Sequence, residues 1–246
     1  MTLQGKRVLI TGASGDLGRA MAHRFFDLGA DLALQYRTGS AAVEPLVLAG
    51  KEAGREVFTV AADLTLPDGA ERLADAVGSR WEHLDGLVNN AGGARPQAFD
   101  AIAPDEWEQS LRLNLTAPFR LIQLFLPALR ARSGAVLNIS SVAALTGGAF
   151  GPAYAAGKAG LIGLTRSAAR DLGRHGVRVN ALAPGPVDSA MTSSLPAEAL
   201  DTIIGTTALR RLVDPREIAD TAAFLLASGT AVTGQTLVVD AGRHFV

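Results

Sequence analysis

Seven short apolar runs alternate with longer segments of helical periodicity from one end of the chain to the other. This alternation narrows the possible folds more than any other feature. The runs are Val8–Thr11, Leu32–Tyr36, Val57–Ala61, Leu87–Asn89, Ala135–Ile139, Arg178–Ala183 and Thr236–Val239. Most are continuous stretches of Val, Leu, Ile and Ala, as expected of strands covered on both faces of a parallel sheet. Between them apolar residues recur at intervals of three and four. Leu17, Ala20, Met21, Phe25 and Leu28 form one such stripe, closed by Gly29. Other helical segments are read over Leu73–Val77, Trp107–Leu129, Ala155–Leu172 and Ile218–Leu226, the last opened by Pro215 with Asp214 as its cap. Repeated strand–helix units with right-handed crossovers predict an α/β Rossmann fold, a doubly wound seven-stranded parallel sheet with helices on both faces.

No composition shift, low-complexity tract or internal repeat divides the chain, so residues 1–246 read as one domain. The long stretch Pro186–Val213 is of uncertain structure and reads as a mobile flap, because such segments in compact domains are usually functional. Lys and Arg total 23 against 24 Asp and Glu, and no basic block stands out. Phosphate-backbone binding needs a concentrated positive surface, so nucleic acid is not an expected partner. The absence of cysteine excludes disulfides, thiol chemistry and cysteine-ligated zinc, and no metal site is expected. No apolar stretch reaches the roughly 18 residues needed to cross a bilayer. Leu121–Leu129 comes nearest and is broken by Gln123 and Pro127. A cytoplasmic protein without a membrane partner is the expectation.

The first run passes directly into Thr11-Gly12-Ala13-Ser14-Gly15-Asp16-Leu17-Gly18 and then a helix. Gly12 permits a tight turn, Gly15 lets the backbone approach a pyrophosphate, and Gly18 lets the helix pack close to the strand. The N–H groups at the helix start supply phosphate donors. A Gly-rich turn alone is weak evidence; its place between strand and helix strengthens it. The second run ends in Gln35-Tyr36 with no acidic residue to grip a ribose 2′-hydroxyl, and Arg37 follows. A guanidinium there suits a 2′-phosphate, so NADP(H) is preferred, with NAD(H) possible. The competing reading of Arg37 is a solvated surface arginine.

Tyr154 and Lys158 stand four apart in a helical segment and share one face. A free phenol has a pKa of about 10, and a neighbouring ammonium lowers it toward a useful proton-transfer range. Many helices hold such a pair by chance. Here Asn138-Ile139-Ser140-Ser141 closes the fifth strand, where ligand sites of doubly wound sheets lie.

In order along the chain, these motifs resemble the short-chain dehydrogenase/reductase family, compact type. The resemblance covers nearly the whole chain and is closest to the 3-oxoacyl-[acyl-carrier-protein] reductases. It implies that Ser141 hydrogen-bonds the substrate oxygen, Tyr154 transfers the proton, and Lys158 depresses the tyrosine pKa and holds the nicotinamide ribose. Asn114, in Leu113-Asn114-Leu115, would fix a proton-relaying water. Ser140 is the competing serine, in poorer register with Tyr154. The alternative for Asn114 is a helix kink satisfied by its own amide. The same resemblance makes Asp63-Leu64 an adenine-contacting pair and Asn89-Asn90-Ala91-Gly92 a cofactor-side element. Read without the family, these are a turn residue and a side-chain-stabilised loop. Pro184-Gly185-Pro186-Val187-Asp188-Ser189 resembles the segment that binds the nicotinamide carboxamide, with Ser189 in place of the usual threonine and Val187 giving backbone contacts.

One departure stands out. The compact members space their glycines GxxxGxG, whereas here Asp16 takes the middle-glycine position. Its carboxylate suits a helix N-terminus but would repel phosphate, so it is expected to turn outward.

The implied reaction is carbonyl–alcohol interconversion on a small molecule, with an acyl-carrier-protein thioester as the foremost candidate and other carbonyls, sugars or steroid-like substrates as alternatives. Specificity is assigned to Pro186–Val213, Gly93–Phe99 and Leu145–Phe150; Arg95 reads first as an exposed arginine, with contact to an anionic substrate as the alternative. Arg130, Arg132, Arg174 and His175 end two helices and form a candidate docking patch for an acidic carrier, although charged helix ends also arise from the macrodipole. Similar proteins dimerise through the catalytic helix and its predecessor and usually form tetramers. Ala155, Ala156, Ala159, Gly160 and Gly163 would allow such contact; tight packing within one copy is the alternative. A nucleotide-sensing scaffold without activity would keep the Gly turn and lose the Tyr, Lys, Ser and Asn set, which is the reverse of what this chain carries.

Overall fold

A computed structural model describes all residues except Arg95, Ala149, Ser194 and Val246. The elements run β1 (Arg7–Ile10), α1 (Asp16–Asp27), β2 (Asp31–Tyr36), α2 (Glu44–Glu52), β3 (Val57–Ala61), α3 (Gly69–Gly78), β4 (Gly86–Asn89), α4 (Pro104–Leu111), α5 (Ala117–Arg130), β5 (Ala135–Ile139), α6 (Ala143–Thr146), α7 (Pro152–Leu172), β6 (Arg178–Pro184), α8 (Ala190–Ser193), α9 (Ala197–Thr206), α10 (Pro215–Ala227) and β7 (Thr236–Val239). The strands form one seven-stranded sheet in the order β3-β2-β1-β4-β5-β6-β7, and every pairing is parallel. Strand order reverses between β1 and β4, so the loops after those strands part there and leave a crevice at the carboxyl edge.

Side-chain alternation along the strands divides the core in two. Val8 and Ile10 of β1 face one side with Met21 and Phe25 of α1, Leu46 of α2, and Ile218 and Ala222 of α10. Leu9 faces the other with Leu73 of α3, Phe125 and Leu129 of α5, and Leu172 of α7. Both faces of the sheet are therefore covered, which is why the strands read as continuous apolar runs. Each fully buried Leu or Phe contributes about 1.5–3 kcal/mol of transfer free energy. The alternating layers fix the register that brings the strand ends together. Among the described residues, no helix is long and apolar enough to cross a membrane, and no cluster of His, Asp or Glu suited to a metal ion is present.

Two expectations change and a third holds. The continuous helical segment read over Trp107–Leu129 is interrupted, because α4 and α5 are separated by a π-helical turn at Arg112–Thr116. The stretch Pro186–Val213 is largely ordered into α8 and α9, and a parallel bridge between Val187 and Val213 closes its base. Asp214 caps α10 as expected, accepting from the Arg216 N–H at 2.8 Å while Glu217 Oε2 accepts from the Asp214 N–H at 2.9 Å. That reciprocal box anchors the far end of the flap to a rigid helix.

Candidate functional site

A cleft of about 710 Å³ opens along the carboxyl edge of the sheet, at the point where strand order reverses. Gly12, Ser14, Gly15, Asp16, Leu17, Gly18, Arg37, Asp63, Leu64, Asn90, Ala91 and Gly92 line one end of it. Ser141, Tyr154, Lys158, Pro184, Gly185, Val187 and Ser189 line the remainder. Asn114 lies behind this wall, fully buried. Separate stretches of sequence are thus brought to one surface.

The glycine turn is shaped by close backbone approach. Gly12 has φ +63°, and a Cβ there would come within 2.8 Å of the Ala91 Cα. At Gly18 a Cβ would sit 2.2 Å from the Gly12 carbonyl oxygen, so only glycine lets α1 pack so close to β1. At Gly15 the nearest atom is 3.6 Å away, which leaves space on the cleft side. Asn90 braces the turn through its amide nitrogen, donating to the Thr11 and Gly12 carbonyls at 2.9 and 3.1 Å.

Two residues that the sequence reading did not single out complete this brace. Thr11 Oγ1 accepts from the Asn90 and Ala91 N–H groups, both at 2.9 Å. Gln35 Oε1 accepts from the Gly12 N–H at 2.8 Å, and its amide donates to the Ala62 carbonyl at 2.7 Å. Gln35 is 2% exposed in an apolar strand, and an uncharged polar residue amid such a run is the signal that would have found it.

Arg37 is exposed at the cleft margin, and Ser14 Oγ donates to the Thr38 carbonyl at 3.0 Å beside it. The Asp63 carboxyl lies below its ordinary range. Burial pushes it up, and this is outweighed by hydrogen bonds from the Thr65 hydroxyl and N–H and by the Arg37 charge. Asp16, expected to turn outward from the phosphate turn, is held by two partners. Its Oδ1 accepts from Arg19 at 3.0 Å and its Oδ2 from the Ala190 N–H at 2.8 Å, across the cleft.

The other end is organised around Lys158. Its side chain is buried, and its ammonium donates to the Ile139 carbonyl at 2.8 Å. Burial alone lowers its pKa to about 8. Tyr154, 9% exposed, lies one turn away, with Lys158 Nζ 5.7 Å from its ring centre. The sequence reading expected the tyrosine pKa to fall. In this structure it is raised, because burial outweighs the lowering effect of the Ser141 hydroxyl, and the ammonium is held on a backbone carbonyl instead of the phenol. Phe150 packs edge-on against Tyr154, ring centres 6.1 Å apart, and keeps that side dry.

The two serines separate cleanly. Ser140 is buried and donates to the Lys158 carbonyl at 2.9 Å, so it is committed to holding α7. Ser141 faces the cleft, its oxygen accepting from the Ala143 N–H at 3.1 Å and its hydroxyl paired with that of Tyr154.

Asn114 occupies the π turn, where both readings of it meet. Its amide nitrogen donates to the Gly93 carbonyl at 3.1 Å and to the Ser110 carbonyl one turn back at 3.0 Å, which is the kink reading. Among the described residues its buried Oδ1 has no partner. A Cβ on Gly92 would lie 2.9 Å from that oxygen and 3.0 Å from Lys158 Nζ, so glycine there keeps the two atoms adjacent to one small space.

Specificity segments divide. Gly93, Gly148, Phe150, Met191, Leu195 and Ile203 line the cleft, whereas Phe99 is 83% exposed and Leu145 is 43% exposed and both lie outside it. Arg95 lies outside the described residues. The C-terminal Arg243 and His244, not anticipated, also border the cleft. Asp240 holds the His244 N–H at 2.7 Å and its Nδ1 at 3.2 Å. On α7, Gly157 and Gly160 pack within the chain, against Asn114 and Leu115, while among the described residues nothing lies within 4 Å of a Cβ on Gly163.

Comparison with known proteins adds to this geometry. A family model described as enoyl-(acyl carrier protein) reductase matches residues 12–244. The chain is 37% identical over 241 residues to the 3-oxoacyl-[acyl-carrier-protein] reductase FabG of Staphylococcus aureus, covering 97% of this chain and 98% of that one. It is 36% identical over 248 residues to the enzyme of the same name from Vibrio cholerae, covering both in full. Among solved structures, the angucycline C-6 ketoreductase LanV with bound NADP superposes with a TM-score of 0.89 at 28% identity, covering 98% of this chain and 96% of that one.

Proposed function

The chain belongs to the short-chain dehydrogenase/reductase family, and from that premise we propose that it is an NADP(H)-dependent oxidoreductase interconverting a carbonyl and an alcohol, with a 3-oxoacyl thioester as its foremost substrate. One observation carries the reading. The glycine turn and the Ser141, Tyr154 and Lys158 side chains open onto the same cleft, and Ser140 is already occupied with Lys158.

The residues fit a dinucleotide. Gly12 and Gly18 leave no room for a side chain, Gly15 leaves space toward the cleft, and Asn90 holds the turn. Gly12, Ser14, Gly15, Asp16, Leu17 and Gly18 would surround the pyrophosphate, Asp63, Leu64, Asn90, Ala91 and Gly92 the adenosine side. Pro184, Gly185, Val187 and Ser189 would border the nicotinamide, and Arg37 the 2′-phosphate. When bound, NADPH supplies the hydride that goes to the carbonyl carbon. Ser141 orients the carbonyl oxygen, and Tyr154 gives its hydroxyl proton to that oxygen as the charge develops. Lys158 would hold the nicotinamide ribose and its charge would favour the phenolate left behind, while Asn114 Oδ1 would accept a water hydrogen on the path that returns the proton. NAD(H) remains the second cofactor.

The family model's description names carbon–carbon double-bond reduction, and the relatives' names a ketone. Two hydroxyls converging near one point suit a carbonyl oxygen, which favours the ketone. The chain reads as one catalytic domain over residues 1–246 with residues 186–213 as its substrate flap, working in the cytoplasm. It assembles as a homotetramer, supported by the open face of α7 at Gly163 and the half-exposed Phe119 of α5.

NADPH oxidation measured with 3-oxoacyl thioesters, 2-enoyl thioesters and simple ketones tests the reading. Turnover of the 3-oxoacyl thioesters is expected, and Tyr154→Phe should lower kcat by about 10²–10⁴-fold. Unchanged turnover in that variant, or turnover of the enoyl substrate alone, refutes the proposed chemistry.

A further inference from the structure

We propose that Asp16 is a positioning residue that latches the cofactor turn to the substrate flap, so that the order of the flap and the residence time of the dinucleotide depend on one carboxylate. Asp16 opens α1, directly after Gly15, on the cofactor wall of the cleft. Its Oδ2 accepts at 2.8 Å from the backbone N–H of Ala190, the first residue of α8 on the opposite wall. The two are 174 residues apart in sequence.

The chemistry suits a latch. An N–H in the first turn of a helix has no partner within the helix, and a carboxylate makes the stronger, charge-assisted bond to it. Asp16 Oδ1 is held by Arg19 at 3.0 Å, which fixes the rotamer and offsets the negative charge facing the phosphate-binding turn. The flap is anchored independently at its base and far end. Asp188 and Val213 donate to the Val213 and Pro186 carbonyls, both at 2.9 Å, and Ala208 and Leu209 donate to the Gly242 and Ala241 carbonyls. The Asp16 bond ties the near end, next to Ser189, to the turn on the other side of the cleft. A residue without a side chain at position 16 would leave this tie unmade.

Two measurements test the latch. Hydrogen–deuterium exchange over residues 190–206 in the empty protein needs no cofactor and stands apart from the proposed activity. Stopped-flow release of NADPH rests on that activity's cofactor. Asp16→Ala should speed exchange and NADPH release each by about fivefold, the scale of one net hydrogen bond. Asp16→Asn, which keeps one acceptor oxygen but neither the second nor the charge, should speed exchange less than Asp16→Ala does. Ala190→Pro removes the donor from the other side at a position where helices accept proline, and should match Asp16→Ala. Combining the two should add nothing further, as expected for partners in one bond. Unchanged exchange in Asp16→Ala, additive effects in the double variant, or slower NADPH release in Asp16→Ala would each overturn the proposal, the last by showing that repulsion of phosphate dominates.

Discussion

Lys158 is buried with its ammonium on the Ile139 carbonyl, and burial lowers its pKa to about 8. An unfolded lysine titrates near 10.4. Between these values the unfolded chain binds more protons than the folded one, so stability rises with pH across that window. The cost of charging the buried amine is fully present below pH 8 and relieved above about 10.5, to the extent of about 3 kcal/mol. Lys158→Met should remove this slope from urea unfolding measured at pH 7.5, 9 and 10; an identical slope would mean that the amine keeps its proton when buried. Arg37 makes a second test at this scale. Arg37→Ala should raise the KM for NADPH about tenfold or more and leave that for NADH within about twofold, and steady-state kinetics with both cofactors check it. Residues whose chemistry shows in their type, such as Tyr154, Lys158 and the three turn glycines, were legible in the sequence. Gln35 and Thr11 were not, because their work is to hold backbone groups that only the folded turn creates. The direction of the Tyr154 shift was misread for a related reason. Helical spacing shows that two side chains share a face, but not that the ammonium turns to a carbonyl 19 residues away.

At the level of elements, strands were read closely because each is an apolar run whose length the sheet itself sets. Helix interiors were read less well. Nothing in the apolar spacing of Trp107–Leu129 marks the π turn at Arg112–Thr116, whose one buried side chain is the polar Asn114. Asn114 donates to the Ser110 carbonyl one turn back and to the Gly93 carbonyl in the loop after β4, bracing the turn from both sides. Asn114→Ala should therefore cost about 1–3 kcal/mol by leaving buried carbonyls without a donor. It should also lower kcat while leaving the KM for NADPH near its parent value. Unfolding in denaturant and steady-state kinetics separate the two effects, and a variant with parental stability and kcat would show that the turn does not depend on this side chain. The flap was underread as well. Pro186–Val213 lacks a long apolar stripe, and α8 is a single turn stabilised by contacts from elsewhere in the chain.

The whole molecule places the basic helix ends in an unexpected position. Arg130 and Arg174 both act on His175, whose pKa is lowered by some burial and by those two charges, so the three residues gather at the ends of α5 and α7. Arg132 turns instead to Asp85, at 3.5 Å. These helix ends lie at the amino edge of the sheet, whereas the cleft lies at the carboxyl edge, about 16 Å away along β5. An acidic carrier docked on the patch would face away from the cleft of its own chain. The geometry changes if two copies pair α5 and α7 antiparallel about a two-fold axis, the commonest symmetry of soluble oligomers. Each copy would then set the carboxyl ends of its helices beside the amino ends of the other's, of which that of α7 borders the cleft. On the proposed assembly, carrier recognition would depend on the pairing of copies. Gly163→Glu, placed on the open face of α7, should lower the oligomeric mass measured by light scattering. It should also raise the KM for a carrier-protein thioester about tenfold, with little change for a short thioester bearing no carrier. Arg130→Glu with Arg174→Glu should raise the same KM while leaving the assembly intact, because charges at the rim of a contact steer a partner more than they hold it. A loss of carrier preference without a change in mass for Gly163→Glu, or equal losses on both substrates for the arginine pair, would break the link between the patch and a neighbouring cleft.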